Sequence, residues 1–132
     1  MGTNAMRYLV DTNIFLWSLN DDKKLQDEIK NVLKDPQNQI FVSIASAWEI
    51  SIKNRAGKLP LKTTLKRCFE ISPFDTLNIS LSHVLEFGKL PLYKNHKDPF
   101  DRILISQSRV ENLTFITTDE KIWRYDLPLL KA

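Results

Sequence analysis

Short apolar runs alternate along the chain with stretches whose apolar residues recur every three or four positions. Arg7-Tyr-Leu-Val10, Ile40-Phe-Val42 and Leu113-Thr-Phe-Ile-Thr117 read as strands, residues 73–79 as a weaker one, and residues 127–130 as a candidate fifth. Helices are expected between them. One begins at Ile14 behind the cap-forming Asp11-Thr-Asn13, and another spans 22–35, where Leu25, Ile29, Val32 and Leu33 share a face until Pro36. A third follows Ser43, with Ile44, Trp48 and Ile52 expected on its buried face, and ends by Gly57 and Pro60. Further helices are expected over 61–71, with Leu65 and Phe69 inward, over 80–89, over 99–112, and briefly around Ile122. Strands alternating with helices predict the α/β class: a three-layer α/β/α sandwich around a four- to five-stranded parallel sheet. Right-handed crossovers then bring every strand C-terminus to one edge of that sheet.

That edge is where the acids fall. Asp11 directly follows the first strand and Asp119 the fourth, while Glu49 and Asp101 lie on helices that start from the same side. Each has an ordinary structural alternative. Asp11 and Asp119 can cap the helices behind them, and Ser46-Ala-Trp-Glu49 matches a capping box. Glu49 also stands four residues before Lys53, the spacing of a surface ion pair. Asp98, followed by Pro99, is an N-cap by type, and the helix dipole favours Asp101 in the first turn. Taken together, four carboxylates on one edge repel one another, and a divalent cation relieves that conflict. Oxygen ligands of this kind suit Mg²⁺ or Mn²⁺.

Composition narrows the setting without fixing it. The chain has 132 residues and 42% hydrophobic content, enough for one domain with its own core, expected over 6–132. Residues 1–5 are set aside from the fold, with Met6 read as the natural start. Cys68 is the single cysteine, which excludes an internal disulfide and a cysteine-built zinc site and fits a cytoplasmic location. No run approaches the roughly 18 apolar residues of a membrane span, and no secretory signal pattern is present. The net charge of +3 adds a mild bias towards polyanions.

The motifs that carry these acids resemble those of the PIN-domain ribonucleases, and among them the VapC-like toxins of toxin–antitoxin pairs. Tyr8-Leu-Val-Asp-Thr-Asn13 is similar to the opening motif, and Ser43-Ile-Ala-Ser-Ala-Trp-Glu-Ile50 with Lys53 and Gly57-Lys-Leu59 to the second. Asp98-Pro-Phe-Asp-Arg-Ile-Leu-Ile105 and Thr117-Thr-Asp119 complete the set, in family order, over nearly the whole chain from Met6. Ser106 and Ser108 depart from the family's usual alanines without touching the acids.

The resemblance implies that Asp11, Glu49 and Asp101 are the main catalytic and metal-binding acids, with Asp119 a fourth, and with Asn13 and Asp98 in support. It implies Mg²⁺- or Mn²⁺-dependent cleavage of RNA to 5′-phosphate and 3′-hydroxyl ends, a homodimer, and a cognate antitoxin. Lys53, Arg55, Lys58 and Arg102 flank the acids in sequence and are the candidates for holding RNA backbone, Lys53 and Arg102 foremost. Trp17, Leu19 and Leu33 are either core or interface. His83 and His96 are expected to be structural, and Trp48 and Trp123 to pack in the core and at its edge. A phosphatase of the haloacid-dehalogenase type needs a second acid where this chain has Asn13, and a receiver domain needs a late lysine that is missing. The alternative from another class is a catalytically silent PIN-like module that binds RNA or protein.

Overall fold

A computed structural model describes residues 6–132; the expectation for residues 1–5 lies outside them. Five parallel strands, β1 (Arg7–Val10), β2 (Gln39–Ser43), β3 (Asp75–Leu77), β4 (Thr114–Thr117) and β5 (Leu129–Lys131), form one sheet in the order β3-β2-β1-β4-β5. The expected sandwich is therefore found, with five strands. The chain runs outward from β1 through β2 to β3, then returns to β1's other side for β4 and β5. Strand order thus reverses between β1 and β4, the position at which open parallel sheets bind ligands outside their strand C-termini.

Alternation along the strands builds two cores. Tyr8, Val10, Ile40, Val42 and Ile116 join one cluster, completed by Ile14, Phe15, Leu25, Ile29, Ile50 and Cys68. Leu9 and Phe115 join the other, with Leu104, Ile105, Leu113, Ile122 and Tyr125. Side chains that alternate in strands point to opposite faces, so both faces are covered, as the unbroken apolar strands require.

The helices are α1 (Thr12–Asn20), α2 (Asp27–Lys34), α3 (Ile44–Arg55), α4 (Leu65–Ile71), α5 (Leu81–Phe87) and α6 (Pro99–Glu111). Side chains set several starts. Asp11, Ser43, Thr64, Ser80 and Asp98 each accept a hydrogen bond from a first-turn amide. Two expected helices are shorter than their apolar pattern: α2 begins only at Asp27, although Leu25 is buried, and α4 begins at its Thr64 cap. The stretch around Ile122 makes successive turns rather than a helix, closed by bonds from Ile122 N to Asp119 O and Tyr125 N to Ile122 O.

One correction concerns α3. Ile44, Trp48 and Ile52 point outward, Trp48 with 60% of its surface exposed, while Ala45, Ser46, Glu49 and Ile50 face inward. Small residues let α3 sit close to its neighbours, and they turn Glu49 into the interior. Trp17, Leu19 and Leu33 are partly buried against the first core. No helix of the described residues is long and apolar enough to cross a membrane.

Candidate metal centre

Asp11 directly follows β1 and caps α1, its Oδ1 accepting from Ile14 N at 2.8 Å. Its capping role is real and coexists with a place at the switch point. Burial pushes its carboxyl up to about 6; donors at Ile14, Thr117 and Thr118 oppose that rise, and the nearby charge of Glu49 adds to it.

Glu49 is only 5% exposed and has a partner on each oxygen. Oε1 accepts from the Thr12 hydroxyl at 2.6 Å, and Oε2 pairs with the Lys53 ammonium at 2.6 Å. The Ser46 hydroxyl lies 3.0 Å from Thr12 Oγ1, so α1 and α3 meet through polar groups. The i,i+4 pair read from sequence is present, but it joins an interior carboxylate to a half-exposed lysine.

Asp101 lies in the first turn of α6, behind the cap in which Asp98 Oδ1 accepts from Phe100 N at 2.8 Å and Asp101 N at 3.3 Å. Burial raises its carboxyl to about 8, helped by the charges of Asp98, Glu49, Asp119 and Asp11. All the predicted acids therefore act on this one group. Asp119 follows β4, with its N–H donating to Thr117 Oγ1 and its Oδ1 accepting from Lys121 N. Ligand atoms of Asp101, Asp119 and His96 lie within 4.8 Å of one another.

His96, expected to be structural and given no partner from the sequence, contacts one of the acids. It is 3% exposed, its Nδ1 is 2.8 Å from Tyr125 Oη, and its Nε2 is 3.2 Å from Asp101 Oδ2. Burial lowers its pKa. His83 does behave structurally: Nδ1 accepts from Ser80 N to close the α5 capping box, and Nε2 is 2.7 Å from Glu111.

The supporting residues divide differently from the expectation. Asn13 lies on the exposed side of α1, and its neighbour Thr12 is the one that touches an acid. Asp98 is the helix cap and adds its charge to the field at Asp101. Arg102 is 5% exposed and turned inward: its guanidinium donates to Pro91 O at 2.8 Å and Tyr125 Oη at 3.2 Å, and lies over the Phe87 ring. That inward placement corrects the expectation of a guanidinium held out to RNA backbone. Lys53, Arg55 and Lys58 are exposed.

The donor set fits a hard divalent cation. It is made of carboxylate oxygens, and the Asp101 carboxyl, raised to about 8 chiefly by burial, is raised further by its acidic neighbours. A cavity of about 750 Å³ lies away from the acids, lined by residues including Leu16, Leu19, Leu59, Leu61 and Ile71. None of the four acids lines it, so chemistry rather than size marks the site.

Comparison with known proteins places the chain's family and fold. The sequence pattern of the PIN domain matches residues 8–127. Over 34 residues the chain is 50% identical to ribonuclease VapC16 of Mycobacterium tuberculosis, a match that spans about a quarter of either protein, 26% and 24%. Among solved structures, VapBC2 of Rickettsia felis bound to a promoter DNA fragment superposes with a TM-score of 0.68 at 21% identity, covering 96% of this chain and 98% of that one. VapBC-1 of nontypeable Haemophilus influenzae gives 0.64 at 19% identity, with the same coverage. At such identities the superpositions speak for the fold.

Proposed function

The chain belongs to the PIN-domain family, and from that premise we propose that it is a metal-dependent endoribonuclease, the toxin of a toxin–antitoxin pair acting in the cytoplasm. One observation supports the reading: Asp101, whose carboxyl is raised to about 8 chiefly by burial, also feels the charges of Asp98, Glu49, Asp119 and Asp11, which come from separate elements of the fold.

Asp11, Glu49, Asp101 and Asp119 would hold Mg²⁺ or Mn²⁺. When bound, the ion supplies Lewis acidity to a phosphodiester and lowers the pKa of an attacking water. The protein's own groups do the rest. Thr12 and Lys53 fix both oxygens of Glu49, and Asp11 is fixed by its bond to Ile14 N. The N-termini of α1 and α6 open onto the same edge, where helix dipoles favour an anionic substrate. Lys53, with Arg55 and Lys58 further along α3 and its exit, supplies cationic groups for RNA backbone. Cleavage would leave a 5′-phosphate and a 3′-hydroxyl.

An antitoxin and a second copy of the chain are the proposed partners. The solved relatives are described as VapBC pairs, and the apolar cavity at Leu16, Leu19, Leu59 and Leu61 suits a peptide segment of an antitoxin.

The test is cleavage of a mixed RNA pool by purified protein with Mn²⁺, with EDTA, and by an identically prepared Asp101→Asn variant. Cleavage that needs the ion and disappears in the variant is expected. RNA left intact under every condition, with no Mn²⁺-linked rise in melting temperature, would replace this reading with that of a silent binding module.

A further inference from the structure

We propose that His96, Tyr125 and Arg102 form a positioning chain that fixes the carboxylate of Asp101, with His96 acting on that acid rather than as a ligand of the ion. The inference rests on reading the acidic edge as a metal centre. Its geometry is a row of contacts: Arg102 Nη1 to Tyr125 Oη at 3.2 Å, Tyr125 Oη to His96 Nδ1 at 2.8 Å, and His96 Nε2 to Asp101 Oδ2 at 3.2 Å.

Donor counting gives the row a direction. A guanidinium only donates, so Tyr125 Oη accepts from Arg102. The single tyrosine proton is then available to His96 Nδ1, which accepts it, and the imidazole keeps its own proton on Nε2. With an ion held at the centre Asp101 is ionised and can only accept, so Nε2–H then donates to Oδ2. The nitrogen nearest the acids is therefore the protonated one, which a metal ligand cannot be.

The row also joins three segments whose relative position the site depends on. Arg102 follows Asp101 on α6, His96 ends the loop before that helix, where its N–H donates to Tyr93 O, and Tyr125 lies in the turns that follow Asp119. Packing holds it in place: Tyr93 meets Tyr125 edge-on at 5.0 Å between ring centroids. A donor fixed at Oδ2 limits the rotation of the Asp101 carboxylate. Partners of this kind behind a ligating carboxylate typically change metal affinity about 10- to 100-fold.

Mn²⁺ binding by calorimetry, on wild type, His96→Ala, His96→Gln and Tyr125→Phe, tests this without relying on cleavage. We expect His96→Ala to weaken Mn²⁺ binding about 10- to 100-fold. His96→Gln should recover most of the loss, because its amide N–H can replace Nε2–H, and Tyr125→Phe should weaken binding at least about threefold. A purely structural role would lower melting temperatures and leave the affinity of the folded variants unchanged. Should His96→Ala fail to fold, Tyr125→Phe, which removes one hydroxyl, decides alone. The proposal is overturned by affinities within twofold of wild type, or by electron spin-echo modulation showing an imidazole nitrogen bound to Mn²⁺ in the wild type. A wild type that binds no Mn²⁺ would instead overturn the metal-centre reading, and this inference with it.

Discussion

The Lys53 ammonium sits 2.6 Å from Glu49 Oε2, one helical turn away, and Glu49's hydrogen bond is what raises the lysine's pKa most. Nearly half of the lysine side chain remains exposed. Lys53 thus has one side on an acid of the centre and another towards solvent, where RNA would lie. In Lys53→Gln we expect a stability loss of roughly 1–3 kcal/mol, because the buried Glu49 end of the pair loses its charged partner. RNA binding should weaken, with the slope of log K against log salt falling by about 0.7 for single-stranded RNA. Filter binding to RNA across a salt series, with Asp101→Asn as background to prevent cleavage, checks both; an unchanged slope would remove Lys53 from the substrate path.

Asp101 makes the metal-free protein sensitive to alkali. Its folded pKa of about 8 exceeds the ordinary 3.8, so between these values the folded state holds a proton that the unfolded state has lost. Its contribution is fully present below pH 3.8 and disappears as pH rises through about 8. Asp11 has the same sign but finishes near 6, and His96, whose pKa is lowered from 6.5, has the opposite sign below 6.5. The window from pH 6.5 to 8.5 therefore isolates Asp101. In EDTA the melting temperature should fall across it by at least about 3 °C more for wild type than for Asp101→Asn. Mn²⁺ should abolish the difference in slope, and parallel slopes in EDTA would contradict the raised pKa.

Much of this arrangement is legible in the residues themselves. Apolar runs ending in Asp11, Ser43 and Thr117 mark three strand C-termini, and Asp98-Pro99 marks the start of α6, because strand periodicity and caps are local signals. The face of α3 was misread because its buried side is Ala45, Ser46 and Glu49, small or polar, while its apolar side is the exposed one. Hydrophobic periodicity finds an apolar stripe but not what covers it. His96 escaped for another reason: its partner Tyr125 is 29 residues away, across a loop and turns with no period. The His96-Lys-Asp-Pro-Phe-Asp101 spacing was in view, yet only the third dimension shows the ring turning back onto the acid.

Among the described residues Thr12 is the hydroxyl that donates to Glu49, at 2.6 Å, in a buried position. Thr12→Val keeps the shape and removes the donor, leaving Oε1 without that partner. Such a loss costs roughly 1–3 kcal/mol of stability and, behind an acid of the proposed metal centre, about 10- to 100-fold in activity. Thr12→Ser should restore most of both. Denaturant unfolding and cleavage rates measured together check the pairing, and a fully active valine variant would show that Lys53 alone fixes Glu49.

Apolar side chains left outside on α3 and α5 are the strongest argument for a second copy of the chain. Ile44, Trp48 and Ile52 are exposed on α3, and Leu81, Val84 and Leu85 on α5, where Leu81 reaches 72%. Both helices lean on α6: the Trp48 ring meets Phe100 edge-on at 5.1 Å, and Glu86 pairs with Arg109 at 3.2 Å. An aromatic anchor flanked by aliphatic residues is the composition of an interface centre, where removing one anchor costs about 2 kcal/mol or more. Trp48→Glu and Leu85→Glu should each raise the dimer dissociation constant at least about 30-fold. Both should melt near the wild-type monomer, since neither residue is in a core. Light scattering across a dilution series reads the outcome. Variants that remain dimeric at wild-type concentrations would move the interface elsewhere, and a wild type that is monomeric throughout would leave these faces to the antitoxin.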